Sequence, residues 1–211
     1  MNIKKSIYTE DRPIIITEDS ITVPSKTKTG MVMHKSEKSL MLKLAEITTK
    51  NGGDILELGF GMHLSADGIQ SNPNVTSHTI IEKHNEIYKV ALEWAKDKPN
   101  TKILLGDWID ILPDIDKKFD GVLHDTYMDV NIDKFLDYIK PNCKEGTIVG
   151  FFEYPKFNNN LSGVRFSLTY EEFNSLPYND NNLFKGNSYE LKYTIFDGTK
   201  FVKDKNIKGI I

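Results

Sequence analysis

Five short runs rich in aliphatic and β-branched residues recur along the chain: "DILELGF", "SHTIIEK", "TKILLGD", "FDGVLHDTY" and "GTIVGFFEY". Segments with helical periodicity separate most of them, and this alternation limits the fold more than any other feature. Strands divided by helices pair in parallel, because each helix returns the chain across the sheet in a right-handed crossover. The expectation is therefore an α/β fold with a mostly parallel sheet. Its helices are "SEKSLMLKLAEITTKNGG", "NEIYKVALEWAKDK" stopped at Pro99, and "NIDKFLDYIK" ending before Pro141, with a short one starting in "MHLSADGIQ". In the first, Ser36 is the expected cap, Leu40, Leu42, Leu44 and Ile47 share a face, and Gly52–Gly53 ends the helix. The closing "SYELKYTIFDGTKFV" reads as a β-hairpin around a glycine. Residues 1–33 read as an extended N-terminal segment, and the Asn-rich "KFNNNLSG" and "PYNDNNLFKGN" as loops.

With 211 residues, 39% of them hydrophobic, the chain can bury a sizeable core in one domain. The net charge of −3 offers no basic footprint for nucleic acid or an anionic membrane. Cys143 is the only cysteine, which excludes an intrachain disulfide and a cysteine-rich zinc site, and no metal site is read. No apolar run reaches signal-peptide or membrane-span length, so a soluble, cytoplasmic protein is expected.

In an open α/β sheet, ligands bind beyond the carboxyl ends of the strands, so the residues just after each strand matter most. Gly59, Phe60 and Gly61 follow the first, where glycine permits a sharp turn and a close approach to bare backbone. A nucleotide cradle, a plain turn and chance composition all remain open for that motif alone. Glu82 ends the second strand, where a carboxylate can accept from both ribose hydroxyls. "GDW" follows the third, placing Asp107 and the ring of Trp108 at the height of an adenine, and Asp125 follows the fourth. Leu64 occupies the position of the third glycine of a dinucleotide fingerprint, and no phosphate-binding lysine is present. A nucleoside cofactor without pyrophosphate, S-adenosylmethionine (SAM), fits this pattern.

"ILELGFGM", "IIEKHNE", "LLGDW" and "FDGVLHDTY", with "VMHKSEKSLM" leading into "NGGDILELGFGM", resemble the guanidinoacetate N-methyltransferases from about Met31 to Pro141. The resemblance implies a Rossmann-like class I methyltransferase fold. It also implies a SAM-dependent N-methyltransferase acting on a guanidino compound and releasing S-adenosylhomocysteine. Residues 36–211 would form the catalytic domain and 1–35 a segment covering the active site. It assigns cofactor contacts to Met33, Met41, the turn at Gly59, the loop Phe60, Gly61, Met62, His63, Leu64 and Ser65, then Glu82, Trp108 and Ile109. Glu37 and Asp125 would grip the acceptor and serve catalysis, Asp125 also facing the cofactor, with Tyr127 beside them. The chemistry of the two acids agrees: a guanidinium holds its proton above pH ~12 and is a poor nucleophile unless carboxylates grip its planar fork and accept a proton.

Each assignment has a plainer reading. Glu37 suits the first turn of a helix through the dipole alone, Asp125 could cap a turn, and Trp108 could be core. His63 and His124 could be packing or surface residues, Asp67 and Asp107 solvated, and Cys143 an incidental thiol in a turn. The chain also departs from the family where "FFEYPKF" replaces a small polar loop. Glu153 there, if it faces inward, suits an acceptor with a second positive group, such as free arginine, agmatine or an arginine in a peptide, with Tyr154 beside it as a candidate contact; facing outward it is a plain solvated acid. Three functions are therefore carried forward: methylation of a small guanidine, methylation of arginine in a peptide or protein, and a catalytically silent SAM-binding or interaction module. The sequence is compatible with a monomer or a homodimer.

Overall fold

The computed structural model describes residues 13–24, 30–126, 132–151, 161–167 and 188–204. The five apolar runs form the expected parallel strands: β4 (Gly53–Leu58), β5 (Val75–Glu82), β6 (Thr101–Leu105), β7 (Phe119–His124) and β8 (Cys143–Phe151). β4 pairs with β5 on one side and β7 on the other; β6 extends the sheet beyond β5, and β8 beyond β7. The closing hairpin is present as β10 (Ser188–Phe196) and β11 (Phe201–Val202), with β10 running antiparallel to β8. The strand order is β11-β10-β8-β7-β4-β5-β6. This is the Rossmann-like arrangement expected from the sequence.

Both faces of the sheet are covered, which explains why the parallel strands read as nearly continuous apolar runs. Successive residues of β4 feed opposite layers. Leu56 and Leu58 join a core with α4 (Trp108–Ile111) and α5 (Ile132–Ile139), while Ile55 packs with α1 (Lys38–Thr48) and α2 (Leu64–Gln70). α3 (Asn85–Trp94) lies on the same face as α1 and α2, through Ile87 and Ala91 against Ile80. Close approach of α1 requires two glycines: a Cβ on Gly121 would stand 2.3 Å from the Thr48 carbonyl oxygen, and one on Gly150 2.6 Å from Thr48 Oγ1.

Several local expectations are corrected. The described part of the N-terminal segment is not merely extended: β1 (Ile15–Ile16), β2 (Ser20–Val23) and β3 (Gly30–His34) form a three-stranded antiparallel sheet. Buried Ile21 secures it against Phe60 and Ile80. Ser36 is not the cap but lies inside a 3₁₀ turn, Lys35–Glu37, capped by His34. Leu42 is 38% exposed, and Met41 and Ala45 complete the buried face of α1 instead. The end of "KFNNNLSG" enters β9 (Ser162–Ser167), which pairs with β10 and was hidden by its polar composition. Cys143 opens β8, fully buried, and burial pushes its thiol up to about 12, so it is no nucleophile. No helix among the described residues is long and apolar enough to cross a membrane.

The amino ends of the strands are stapled by charge. Asp54 accepts from Ser77 Oγ at 2.6 Å and pairs with Lys117 at 3.0 Å and Lys144 at 3.2 Å; Lys144 also reaches Asp120 at 2.7 Å. Burial alone would raise the Asp54 carboxyl, but Ser77 and the two lysines outweigh it and hold the group well below the usual carboxylate range. A carboxyl lowered on folding stabilises the fold above its unfolded value of about 4 and loses that contribution as pH falls below it. We therefore predict that Asp54→Asn lowers the urea midpoint at pH 7, and that the gap to the wild type narrows as pH drops below about 4. A gap independent of pH would exclude this role.

Candidate active site

The carboxyl ends of β4, β5, β6 and β7 bring most of the expected site residues to one rim. At the end of β4 the chain turns with Gly59 and Gly61 at φ of 88° and 53°. His63 adopts the same left-handed region, at φ 55°, without being glycine. Gly59 donates to the Ile81 carbonyl on β5 at 2.9 Å, and Asp125 donates to the Leu58 carbonyl at 3.1 Å. A Cβ on Gly59 would stand 2.2 Å from the Asp125 carbonyl oxygen. The first glycine is thus required because the segment carrying the candidate acid lies directly against the turn.

The loop is pinned from two more sides. Glu82, 4% exposed at the end of β5, accepts from Phe60 N at 2.9 Å and from His84 N at 2.7 Å. Burial pushes its carboxyl above the ordinary range, while those backbone donors and that of Gly61 act in the opposite sense. A carboxylate has about four acceptor positions, so these backbone bonds do not exhaust its capacity for ligand hydroxyls. From the other side, Met33 on β3 accepts from Met62 N through sulfur at 3.1 Å, and a Cβ on Gly61 would stand 2.6 Å from that sulfur. Met33, Met41 and Leu64 share one buried cluster, with Met62 packed against it.

The loop's side chains mostly face the core, leaving its backbone to meet a ligand. The Phe60 ring is buried edge-on to Trp94 at 5.3 Å. His63 contacts Asp67 at 2.9 Å, and Asp67 also accepts from Trp94 Nε1 at 2.8 Å, so this acid is not simply solvated. Nor is Asp107, which pairs with Lys83 at 2.8 Å and caps α4 by accepting from Ile109 N at 3.1 Å. Trp108 is core, 4% exposed and set edge-on to Phe135 and Tyr138, with Ile109 packed against the same cluster. His124 packs against Phe135 with ring centres 4.2 Å apart.

Glu37 is 2% exposed in the turn before α1, and its Oε1 accepts from His34 N at 2.8 Å, completing a capping box. Its structural role is therefore real, whatever else it does. Tyr127, Glu153 and Tyr154 lie outside the described residues. One participant was missed by the sequence reading: Ser65 donates to Glu57, a fully buried acid two residues before Gly59, which contacts buried His78 at 2.9 Å. The signal was available in a lone charge within an otherwise apolar strand end.

The glycine loop and the strand-end acid, still with acceptor capacity, form a cradle suited to a nucleoside cofactor with an amino-acid tail. The chain is 28% identical over 160 residues to protein arginine N-methyltransferase 2 of Yarrowia lipolytica, covering 70% of this chain and 32% of that protein. It is 33% identical over 101 residues to the protein of the same name from Aspergillus oryzae, covering 46% and 24%. The chain thus spans about a third or less of these relatives. Spermidine synthase from Thermotoga maritima shares the fold at a TM-score of 0.59, with 13% identity over 90% of this chain and 72% of that one. The model of the family described as guanidinoacetate N-methyltransferase matches residues 25–150, more than half of the chain. The protein therefore belongs to the guanidinoacetate N-methyltransferase family, with S-adenosylmethionine as its cofactor.

Proposed function

We propose that the protein methylates a nitrogen of a guanidino compound. The observation that carries this reading is the packing of Asp125 against Gly59, which sets a carboxylate-bearing residue beside the loop that would hold the cofactor. Bound SAM supplies an electrophilic methyl group and leaves as S-adenosylhomocysteine. The backbone of Phe60 to Ser65 would receive the methionine end and Glu82 the ribose. Asp125 and Glu37 would hold the guanidinium fork and turn one nitrogen toward the methyl. The Asp125 carboxylate would accept the proton that the acceptor nitrogen gives up on methylation. Such positioning is worth up to roughly 7–11 kcal/mol of barrier.

A small guanidine such as guanidinoacetate, arginine or agmatine is the first acceptor class. Arginine in a peptide or protein is the second, favoured by the arginine N-methyltransferase 2 relatives. Mass spectrometry after incubation with SAM and guanidinoacetate, arginine, agmatine or an arginine peptide separates them by which one gains a methyl. SAM binding without any methylation would favour the silent module.

Two variants test the assignments. Asp125→Asn should keep SAM affinity and lose at least ~100-fold in methyl transfer, the usual weight of a general base; turnover near wild type would exclude the carboxylate mechanism. Gly61→Leu forces a side chain against Met33 at a left-handed φ, and calorimetry should find SAM binding abolished. Retained affinity would remove the loop from the cofactor site.

A further inference from the structure

Beneath the glycine loop runs a buried polar chain that the proposed methyl transfer does not use. Glu57 Oε1 accepts from Ser65 Oγ, in the first turn of α2, and Glu57 Oε2 lies 2.9 Å from His78 Nε2 on β5. Glu57 and His78 are fully buried and Ser65 is 1% exposed. His78 Nδ1 is 3.2 Å from Gln70 Nε2, which also donates to Thr101 Oγ1 at 3.1 Å. An amide N–H directed at Nδ1 suits the tautomer that places an N–H at Nε2, on the side of Glu57. The Glu57–His78 contact is close but off the hydrogen-bond axis, and neither of the two atoms makes a hydrogen bond among the described residues.

We propose that His78 is a positioning residue for the cofactor site. With His78 packed 2.9 Å from its other oxygen, Glu57 keeps one oxygen toward Ser65, and the Glu57–Ser65 bond ties the strand before the glycine loop to the helix after it. Without His78, a buried carboxylate loses its facing N–H, so it must take up a proton or turn away. Either change disturbs the clasp and lets the loop's backbone donors drift from the geometry that SAM needs. The inference rests on the SAM reading of this loop.

The test measures SAM affinity by calorimetry at a temperature where circular dichroism shows each variant folded. His78→Leu should weaken SAM binding at least tenfold. His78→Gln, which can present an amide N–H near the position of Nε2–H, should recover most of that loss; a merely structural histidine would lower thermal stability without changing the affinity of folded protein. Ser65→Ala should also weaken binding, and adding it to His78→Gln should cost no more than Ser65→Ala alone, because both act through Glu57. Wild-type affinity in folded His78→Leu overturns the proposal. If His78→Leu does not fold, wild-type affinity in Ser65→Ala overturns it instead. A wild-type chain that binds no SAM overturns the cofactor reading and this inference with it.

Discussion

The site depends on how β4 ends. As the middle one of the five parallel strands, β4 is flanked by parallel partners on both edges, and its last residues are fixed in register by each. Gly59 extends one ladder to Ile81, while Asp125 extends the other to Leu58. Three chain segments therefore meet where the strand stops, and there is no room between them for a Cβ on Gly59. The separation of the glycine loop and the candidate acid is consequently set by backbone pairing, which is less compliant than side-chain contact. A site so built would have the preorganisation that the proposed methyl transfer requires.

The two ends of the sheet have different chemistry. At the amino ends, partly exposed acids and lysines neutralise one another. At the carboxyl ends, buried acids face backbone N–H groups and bare loop. Glu82 fixes Phe60 N through its carboxylate, and under the proposed function its remaining acceptors would take the ribose. Holding such groups in low dielectric is costly, and the surrounding network of donors offsets that cost. The N-terminal sheet adds the remaining wall, because Met33 closes against Gly61.

Much of this was legible locally. The alternation of apolar runs with amphipathic segments determined strands and helices, since periodicity expresses which faces must be buried. The Gly-x-Gly turn, Glu82 and Asp125 were recognisable because strand ends in a parallel sheet share one rim. Polar β9 escaped notice because antiparallel pairing with β10 satisfies its backbone without an apolar run. Leu42 looked like core because spacing alone left open which edge of the α1 stripe meets the sheet.

The sequence by itself thus determined the α/β class, the hairpin and the strand-end motifs, all of which follow from short-range spacing. Only the tertiary structure decided that Trp108 is core, that Asp107 is paired with Lys83, that Glu37 caps a turn, and that His78 stands against Glu57. Apart from the turn at Glu37, these depend on residues from separate strands or helices. Burial and the partner of a polar group are fixed by packing between elements, and no local spacing encodes them.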